Sequence, residues 1–213
     1  TLEASEDDSV IEGGEVKVAG TDKAMGWLEV GLAAYTGHNL PDGMEPGLKE
    51  GAFYDPVNFT FPSGTYIAEV EVDPATGVTE VVQFTAADDF GTIINPMIVQ
   101  GQVHGGLTQG IAPAMYEELI YDKAGNILNG TFMDYLVPTA VESPNWEPGH
   151  TITPSPHHPI GAKGVGESPT VGAPPAIVNA IVDAVAHLGI KHLEIPVTSF
   201  KLYRELKAVG YFK

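Results

Sequence analysis

Residues 161–170, with the sequence GAKGVGESPT, combine residue types that could carry out chemistry. Three glycines surround Lys163 and precede Glu167, so the backbone N–H groups of this segment could face an anion, to which the lysine would add a positive charge. Gly166 leaves the carboxylate of Glu167 open to a ligand. The alternative is a glycine-rich turn before a helix, in which Glu167 offsets the helix dipole, and the segment taken alone favours this alternative. The residue order of a nucleotide-binding Walker loop is absent.

A second candidate segment begins at Asn95-Pro96, a pair typical of a helix start because Asn caps the first turn and Pro fits its first position. The pattern predicts a helix from there to about Glu118. Gln102 and Gln109 are seven residues apart and therefore share one face of this helix. The helix also contains four glycines, each of which destabilises an isolated helix: Gly101, Gly105, Gly106 and Gly110. Either a ligand fixed by the glutamine amides or a closely packed backbone would explain them.

The histidines and Ser168 are weaker candidates. His157 and His158 are adjacent, and His187 and His192 bracket a predicted helix end, so neither pair has the His-x-x-x-His spacing of a helical metal site. We therefore expect all seven histidines to be structural rather than metal-bound. Ser168 follows a glutamate, and the Gly-x-Ser-x-Gly elbow of serine hydrolases is absent.

Composition narrows the class of function. The 213 residues carry 28 acidic and 10 basic side chains, a net charge of −18, so no basic stripe is available to bind nucleic acid or an anionic membrane. The chain has no cysteine, which excludes disulfides, zinc fingers and cysteine-ligated iron–sulfur clusters within it and fits the cytoplasm. The sequence predicts that no apolar run is long enough to span a membrane and that the first residues do not form a signal peptide.

The elements that must position these segments are strands in hairpins and separate helices, which predicts an α+β fold. Alternating residues over 66–72 and 78–86, around a turn at 73–77, predict a hairpin. A second hairpin is predicted over 119–129, and short strands are predicted over 1–20.

Helical spacing predicts three further helices. They are 23–35, capped by Thr21 and Asp22; 176–188, with a buried stripe of Ile177, Ile181, Ala184 and Val185; and 199–209. The segments 36–63 and 139–159 are predicted to be irregular because they are rich in Gly and Pro. Such long connections often wrap a partner or line a site.

Five segments in a fixed order resemble the C-terminal half of the large subunit of the xanthine oxidase family of molybdenum hydroxylases. They are DDFGTIINP, GQVHGGLTQGIAPAMYEEL, DYLVPTA, GAKGVGESP and PPAIVNAIVDAV. The resemblance extends from about Glu15 to Leu206 and is greatest for the bacterial branch that includes aerobic carbon monoxide dehydrogenases. It implies that residues 1–213 are the C-terminal part of a molybdopterin-binding domain of xanthine-oxidase type.

The resemblance also implies an activity and a set of cofactors. The enzyme would hydroxylate an electron-poor carbon of an aldehyde, an N-heteroaromatic compound or a carbon-monoxide-type substrate, with oxygen from water. Molybdenum would be held by molybdopterin, in bacteria usually as the cytosine dinucleotide. FAD and 2Fe-2S clusters would lie on flavin and iron–sulfur partner subunits.

Residue roles follow from the matching motifs. Glu167 would be the catalytic base. Backbone and amide groups of two segments would contact the cofactor: Gly101, Gln102, Val103 and His104, together with Lys163, Gly164, Val165 and Gly166. Protein ligands to the metal are not expected in this chain.

The family's earlier cofactor segments lie upstream, so we expect a fragment or a split-gene product that needs the remaining part of the large subunit. The copper-ligating cysteine of the carbon monoxide branch also lies upstream, and Val165 and Ser168-Pro169 differ from the Cys and Ala-Gly associated with that branch. Two alternatives are a non-catalytic packing domain of the same descent and an unrelated anion-binding module. The presence of Glu167 favours the catalytic role over the first, and the ordered motifs disfavour the second.

Overall fold

The computed structural model describes residues 2–212 and divides the chain into two compact units, Thr1–Asp55 and Pro56–Lys213. Helices and strands are mixed along the chain, and most strand pairs are antiparallel, which agrees with the predicted α+β class. Both units contain a three-stranded sheet.

The first unit contains a small antiparallel sheet followed by one helix. Its strands are β1 (Ser9–Glu12), β2 (Glu15–Val18) and β3 (Ala24–Gly26), and its helix is α1 (Trp27–Thr36). The short strands predicted in the opening residues are confirmed.

The predicted start of the first helix is wrong. Residues 24–26 pair with β2 instead, so the helix begins at Trp27, where the Glu29 carboxylate accepts a hydrogen bond from the Gly26 N–H at 3.3 Å. Thr21, the predicted cap, accepts from the Lys23 N–H at 3.2 Å in a turn. Residues 37–62 form no helix or strand, as predicted.

The sheet of the second unit is built on a long hairpin. Strands β4 (Ser63–Asp73) and β5 (Val78–Asp89) are antiparallel, which confirms the predicted hairpin, and the Asp73 carboxylate accepts from the Ala75 N–H at 2.9 Å and the Thr76 hydroxyl at 2.6 Å in the turn. Strand β6 (Asn145–Thr151) pairs parallel to β5, within a segment predicted to be irregular. Its sequence, NWEPGHT, gave no strand signal because proline is confined to edges and bulges of sheets.

The second predicted hairpin is much smaller than expected. The segment around Lys123–Asn126 forms a turn with a single bridge between Tyr121 and Ile127. The Asp122 carboxylate holds this turn by accepting from the N–H groups of Ala124 and Asn126 at 2.8 and 2.9 Å.

Three helices cover the sheet of the second unit. Helix α2 (Pro96–Ile111) is capped by Asn95, whose Oδ1 accepts from the Ile98 N–H at 3.2 Å, and it continues as a π-helix over Ala112–Tyr116, close to the predicted end. Helix α4 (Ser199–Ala208) is confirmed within one residue.

Helix α3 (Ser168–Val185) begins eight residues before the predicted start at Ala176 and extends as a 3₁₀ turn over Ala186–Leu188. Pro174 and Pro175 lie inside it and caused the error, because proline removes backbone hydrogen bonds and usually interrupts helices.

The hydrophobic core lies between the β4–β5–β6 sheet and helices α2, α3 and α4. Its fully buried large apolar side chains are Phe84, Leu107, Ile111, Ile177, Ile181, Leu202 and Leu206. Of the predicted α3 stripe, Ala184 is only half-buried. By length and composition alone Ser168–Leu188 could cross a membrane, so the prediction that no apolar run is long enough is wrong. The side chains of Ala173, Ile177, Ile181 and Val185 lie in the hydrophobic core, as is typical of a core helix.

Helices α2 and α3 pack closely through two of the four glycines. A Cβ atom placed at Gly106 would lie 3.0 Å from Pro169 Cβ, and one at Gly110 would lie 2.5 Å from Ala173 Cβ. The predicted close packing is therefore confirmed at these two positions. Gly101 and Gly105 have nothing within 4 Å, so this crossing does not explain them.

Asp89, the last residue of β5, ties three segments together. Its carboxylate accepts from the Thr151 hydroxyl at 3.2 Å, the Thr153 N–H at 3.1 Å and the Gly91 N–H at 2.9 Å. It also pairs with the Lys163 ammonium at 2.9 Å, where both side chains are largely buried. Hydrogen bonds from Thr153 and from the Lys163 ammonium hold the pKa of Asp89 well below its ordinary value.

Replacement of the α2 glycines should separate packing from helix propensity. Gly110→Ala should destabilise the protein by about 1–3 kcal/mol, because the added methyl group cannot fit against Ala173. Gly105→Ala, in the same helix but in open space, should stabilise it by up to about 1 kcal/mol. Urea denaturation of the purified variants measures both. Equal effects at the two positions would contradict the packing argument.

Acidification should reduce the contribution of Asp89 to the free energy of unfolding. Because its pKa is lower in the folded protein, its stabilisation is complete above the unfolded value of about 4 and is lost as the pH falls below that value toward the folded one. Asp89→Asn lacks this contribution at every pH. The difference in urea midpoint between wild type and Asp89→Asn should therefore be largest near neutrality and should narrow below about pH 4. A difference that widens on acidification would refute the assignment.

Candidate functional site

The glycine-rich loop at 161–167 is joined to the end of β5 by backbone hydrogen bonds. The Gly161 carbonyl accepts from the N–H groups of Thr92 and Ser155 at 3.1 and 3.0 Å, and the Lys163 N–H donates to the Phe90 carbonyl at 2.9 Å. Gly91 has a φ of 62° and lies so close to the Gly161 carbonyl that a Cβ atom would collide with it. The loop position therefore depends on glycine at residue 91.

Lys163 uses its charge inside the protein. Its side chain is 13% exposed and its ammonium lies 2.9 Å from Asp89 Oδ1, so the charge that the sequence offered to a phosphate is neutralised locally. The three residues after Lys163, in contrast, leave polar groups without a partner. Among the described residues, the backbone N–H groups of Gly164, Val165 and Gly166 have no hydrogen-bond acceptor. Consecutive free N–H groups form the kind of concave donor set that holds anionic groups.

Glu167 lies at the N-terminus of α3. Its carbonyl accepts from the Val171 N–H at 3.0 Å, which places it as the capping residue of the helix. The side chain is exposed, and its carboxylate makes no hydrogen bond or ion pair within the part of the chain that the structure describes. The position suits both sequence interpretations, since an exposed carboxylate here can meet a ligand and can also offset the helix dipole.

The residue after Glu167 is held by a buried network that the sequence did not reveal. Ser168 Oγ donates to Asp88 Oδ1 at 3.0 Å, and the Tyr66 hydroxyl donates to the same oxygen and lies 2.9 Å from Ser168 Oγ. Asp88 is 1% exposed, and its burial raises the pKa of its carboxyl group against the opposing effect of these hydrogen bonds. Burial is also the main cause that raises the pKa of Tyr66. In the sequence, Asp88 stood out only as the first residue of the DDFGTIINP motif, two residues beyond the strand predicted over 78–86.

The polar face of α2 meets this loop and the first turn of α3. Gln102 Nε2 would lie 3.5 Å from a Cβ atom placed at Gly166. Gln109 Oε1 accepts from the Thr170 hydroxyl at 3.4 Å. The two glutamines that share a helix face therefore both approach the segment that contains Glu167.

The remaining predicted residues on α2 lie elsewhere. Val103 is buried in the core, so only its backbone could reach a ligand, whereas Gly101 is exposed. His104 is half-buried and stacks on Trp146 with ring centroids 6.3 Å apart, and its Nε2 is buried without a hydrogen-bond partner in the described residues. The structure thus brings Gln102 and the 164–167 loop together but places His104 on another side of the helix.

A cleft of about 270 Å³ lies between the loop and the start of α2. Its walls are mostly apolar and include Ile94, Ile98, Ala162 and Val165. Across residues 2–212, His, Asp and Glu side chains form no group of three that could hold a metal ion. The arrangement offers backbone donors, one amide and one carboxylate, which suits a cofactor that brings its own metal ligands.

Comparison with known proteins identifies the family. Residues 1–144 match the family model described as the molybdopterin cofactor-binding domain. The chain is 52% identical over 207 residues to the carbon monoxide dehydrogenase large chain of Hydrogenophaga pseudoflava, a match that covers 97% of this chain and 26% of the relative. It is 40% identical over 210 residues to the nicotine 6-hydroxylase large subunit of Paenarthrobacter nicotinovorans, covering 98% and 26%.

Solved structures agree with this result. The crystal structure of Cu,Mo-CO dehydrogenase superposes with a TM-score of 0.90 at 46% identity, covering 100% of this chain and 26% of that one. Quinoline 2-oxidoreductase from Pseudomonas putida 86 superposes with a TM-score of 0.88 at 43% identity, covering 97% and 26%. The chain therefore spans about a quarter of the length of these relatives. It belongs to the molybdopterin cofactor-binding domain family, as its resemblance to the large subunits of molybdenum hydroxylases predicts.

Proposed function

We propose that this chain is the C-terminal part of the large subunit of a molybdenum hydroxylase and contributes its catalytic base. The substrate class is an electron-poor carbon in an aldehyde, an N-heteroaromatic compound or a carbon-monoxide-type molecule. The family match and the names of relatives that act on carbon monoxide, nicotine and quinoline support this class. When bound, the molybdenum cofactor supplies a two-electron oxidation in which oxygen from water is added to that carbon.

The donor groups at the loop suit such a cofactor. The N–H groups of Gly164, Val165 and Gly166 have no acceptor among the described residues, and the Gln102 amide lies beside Gly166. We assign these groups to contacts with the pterin or its dinucleotide extension, in the cytosine form. Gly101, Val103 and His104 would contribute mainly through the α2 backbone, and Lys163 would contribute by fixing the loop through Asp89.

The proposal rests mainly on the exposure of the Glu167 side chain and its lack of a partner among the described residues. Glu167 also follows three backbone donors directly. In the proposed reaction a carboxylate oxygen of Glu167 would accept the proton that the water-derived oxygen loses as this oxygen attacks the substrate carbon. A carboxylate without internal partners is free to make that contact, and general bases act only within hydrogen-bond reach.

The proposal includes partner polypeptides. The resemblance to molybdenum hydroxylases implies 2Fe-2S clusters and FAD, which we place on separate iron–sulfur and flavin subunits in the cytoplasm. The chain has no cysteine to hold an iron–sulfur cluster, which agrees with this placement of the clusters. Several large apolar side chains of the second unit are almost fully exposed: Phe59 at 80%, Phe61 at 75%, Phe132 at 90% and Met133 at 88%. We assign these side chains to contacts with the remaining part of the large subunit, because exposed apolar surface commonly marks interfaces.

Glu167→Gln in the full-length enzyme tests the catalytic assignment. Glutamine keeps the size and hydrogen bonding of glutamate but cannot accept the proton. The turnover number should fall by about 10²–10⁴-fold while the molybdenum content stays at the wild-type level. Steady-state kinetics with an electron-accepting dye and metal analysis of the same preparation measure the two quantities.

Glu71→Gln, at an exposed position on β4, is the matched control and should leave both quantities unchanged. If Glu167 serves only the helix dipole, the substitution should cost about 0.3–1 kcal/mol of stability and leave turnover intact. Turnover within a few-fold of wild type with full molybdenum would therefore reject the catalytic role and favour the packing-domain alternative.

A further inference from the structure

Two adjacent carboxylates at the end of β5 hold the two ends of the segment that contains Glu167. Asp89 pairs with Lys163, four residues before Glu167, and Asp88 accepts from the hydroxyl of Ser168, the residue after it. Between these anchors lie Gly164, Val165 and Gly166, whose backbone N–H groups have no acceptor in the described residues. A glycine-rich segment has many accessible conformations, so its position depends on its ends.

The Ser168 anchor acts on Glu167 most directly. Ser168 is the first residue of α3, and its hydroxyl reaches across 80 positions of sequence to Asp88 at 3.0 Å. Tyr66, on β4, donates to the same Asp88 oxygen and lies 2.9 Å from the Ser168 hydroxyl. The backbone that carries Glu167 is thereby fixed to the sheet within one residue of its own Cα.

Asp88 forms its side-chain hydrogen bonds through one oxygen alone among the described residues. Its Oδ1 meets Tyr66 and Ser168, and its Oδ2 is buried without a partner in the described residues. Burial raises the pKa of this carboxyl group, which means that its charged form is disfavoured there. Buried polar groups with an unsatisfied atom are uncommon in proteins and call for a role that offsets their cost.

We propose that Asp88 is a positioning residue for Glu167 and acts through the Ser168 hydroxyl, with Tyr66 holding Asp88 in place. The proposal rests on the proposed function, since it concerns the carboxylate assigned there as the base. The network fixes the first turn of α3, and this turn sets the direction in which the Glu167 side chain leaves the backbone. A base that is misplaced by about 1 Å can lose on the order of 100-fold in rate.

Ser168→Ala in the full-length enzyme tests the link, because it removes one hydroxyl and leaves Asp88 and Tyr66 in contact. We expect kcat to fall by about 10–100-fold while KM changes by less than about threefold, since the substrate contacts are untouched. Hydrogen–deuterium exchange should also become about tenfold faster in the amides of 166–171, with unchanged molybdenum content. Ser168→Thr keeps a hydroxyl and should restore both measurements.

Ser199→Ala is the matched control. Ser199 is likewise the first residue of a helix, α4, but its side chain is exposed and makes no hydrogen bond in the described residues. The Ser199→Ala variant should leave kcat and the hydrogen–deuterium exchange of residues 166–171 unchanged.

A double-mutant cycle with Asp88→Leu tests whether Asp88 acts through Ser168. If it does, the double variant should lose no more activity than the more damaged single variant, because both changes cut the same link. Independent, additive losses would overturn the proposal. Asp88→Leu is interpreted only with Ser168→Ala, so a failure of the leucine variant to fold leaves the serine test intact.

The outcomes also separate the two proposals. Wild-type kcat for Ser168→Ala beside an inactive Glu167→Gln variant would overturn the positioning role alone. Wild-type exchange of 166–171 in Ser168→Ala would overturn it as well, whatever the activity. Full turnover of Glu167→Gln would overturn the proposed function itself, and the exchange data would then still report whether the Asp88–Ser168 link holds the loop.

Discussion

The side chains of Asp88 and Asp89 reach different neighbours although the two residues are consecutive in β5. Asp88 binds the hydroxyls of Tyr66 and Ser168, whereas Asp89 binds the Lys163 ammonium and the backbone after β6. Because successive residues of a strand point to opposite faces, the pair can engage two elements at once. The loop, the start of α3 and the end of β6 are therefore all located relative to one strand end. The buried charges cost desolvation energy, and only their close partners make them tolerable.

Helices α2 and α3 complete this arrangement from the other side. Gly106 and Gly110 let α3 approach α2 closely, and the approach places Gln102 beside Gly166 and Gln109 beside Thr170. The same two helices bury Leu107, Ile111 and Ile177 against the sheet. Core packing and the geometry around Glu167 both depend on the crossing of α2 and α3. A change in this crossing would therefore also move the 161–167 loop.

Local sequence patterns correctly predicted the strands and helices that depend mainly on neighbouring residues. Alternation in β4 and β5, the Asn95-Pro96 helix start and the spacing in α4 were sufficient. The start of α3 was missed because Pro174 and Pro175 oppose a helix locally and only packing overrides them. The Tyr66–Asp88–Ser168 network joins residues up to 102 positions apart, and no local pattern can reveal such a contact. The candidate base could be named from the motif order, whereas the groups that hold it required the fold.

The four glycines of α2 are under different structural constraints. Gly106 and Gly110 are fixed by the chain's own packing, so any descendant that keeps the α2–α3 crossing must keep them small. Gly101 and Gly105 have open space around them, and the fold of the second unit places no such demand on them. Across divergent relatives the inner pair should remain constant, and the outer pair should drift together with whatever molecule lies against that face of the helix. Comparing the substitution rate at Gly101 and Gly105 with the rate at Gly106 and Gly110 would then show whether the molecule that contacts the outer face of α2 has stayed the same among relatives.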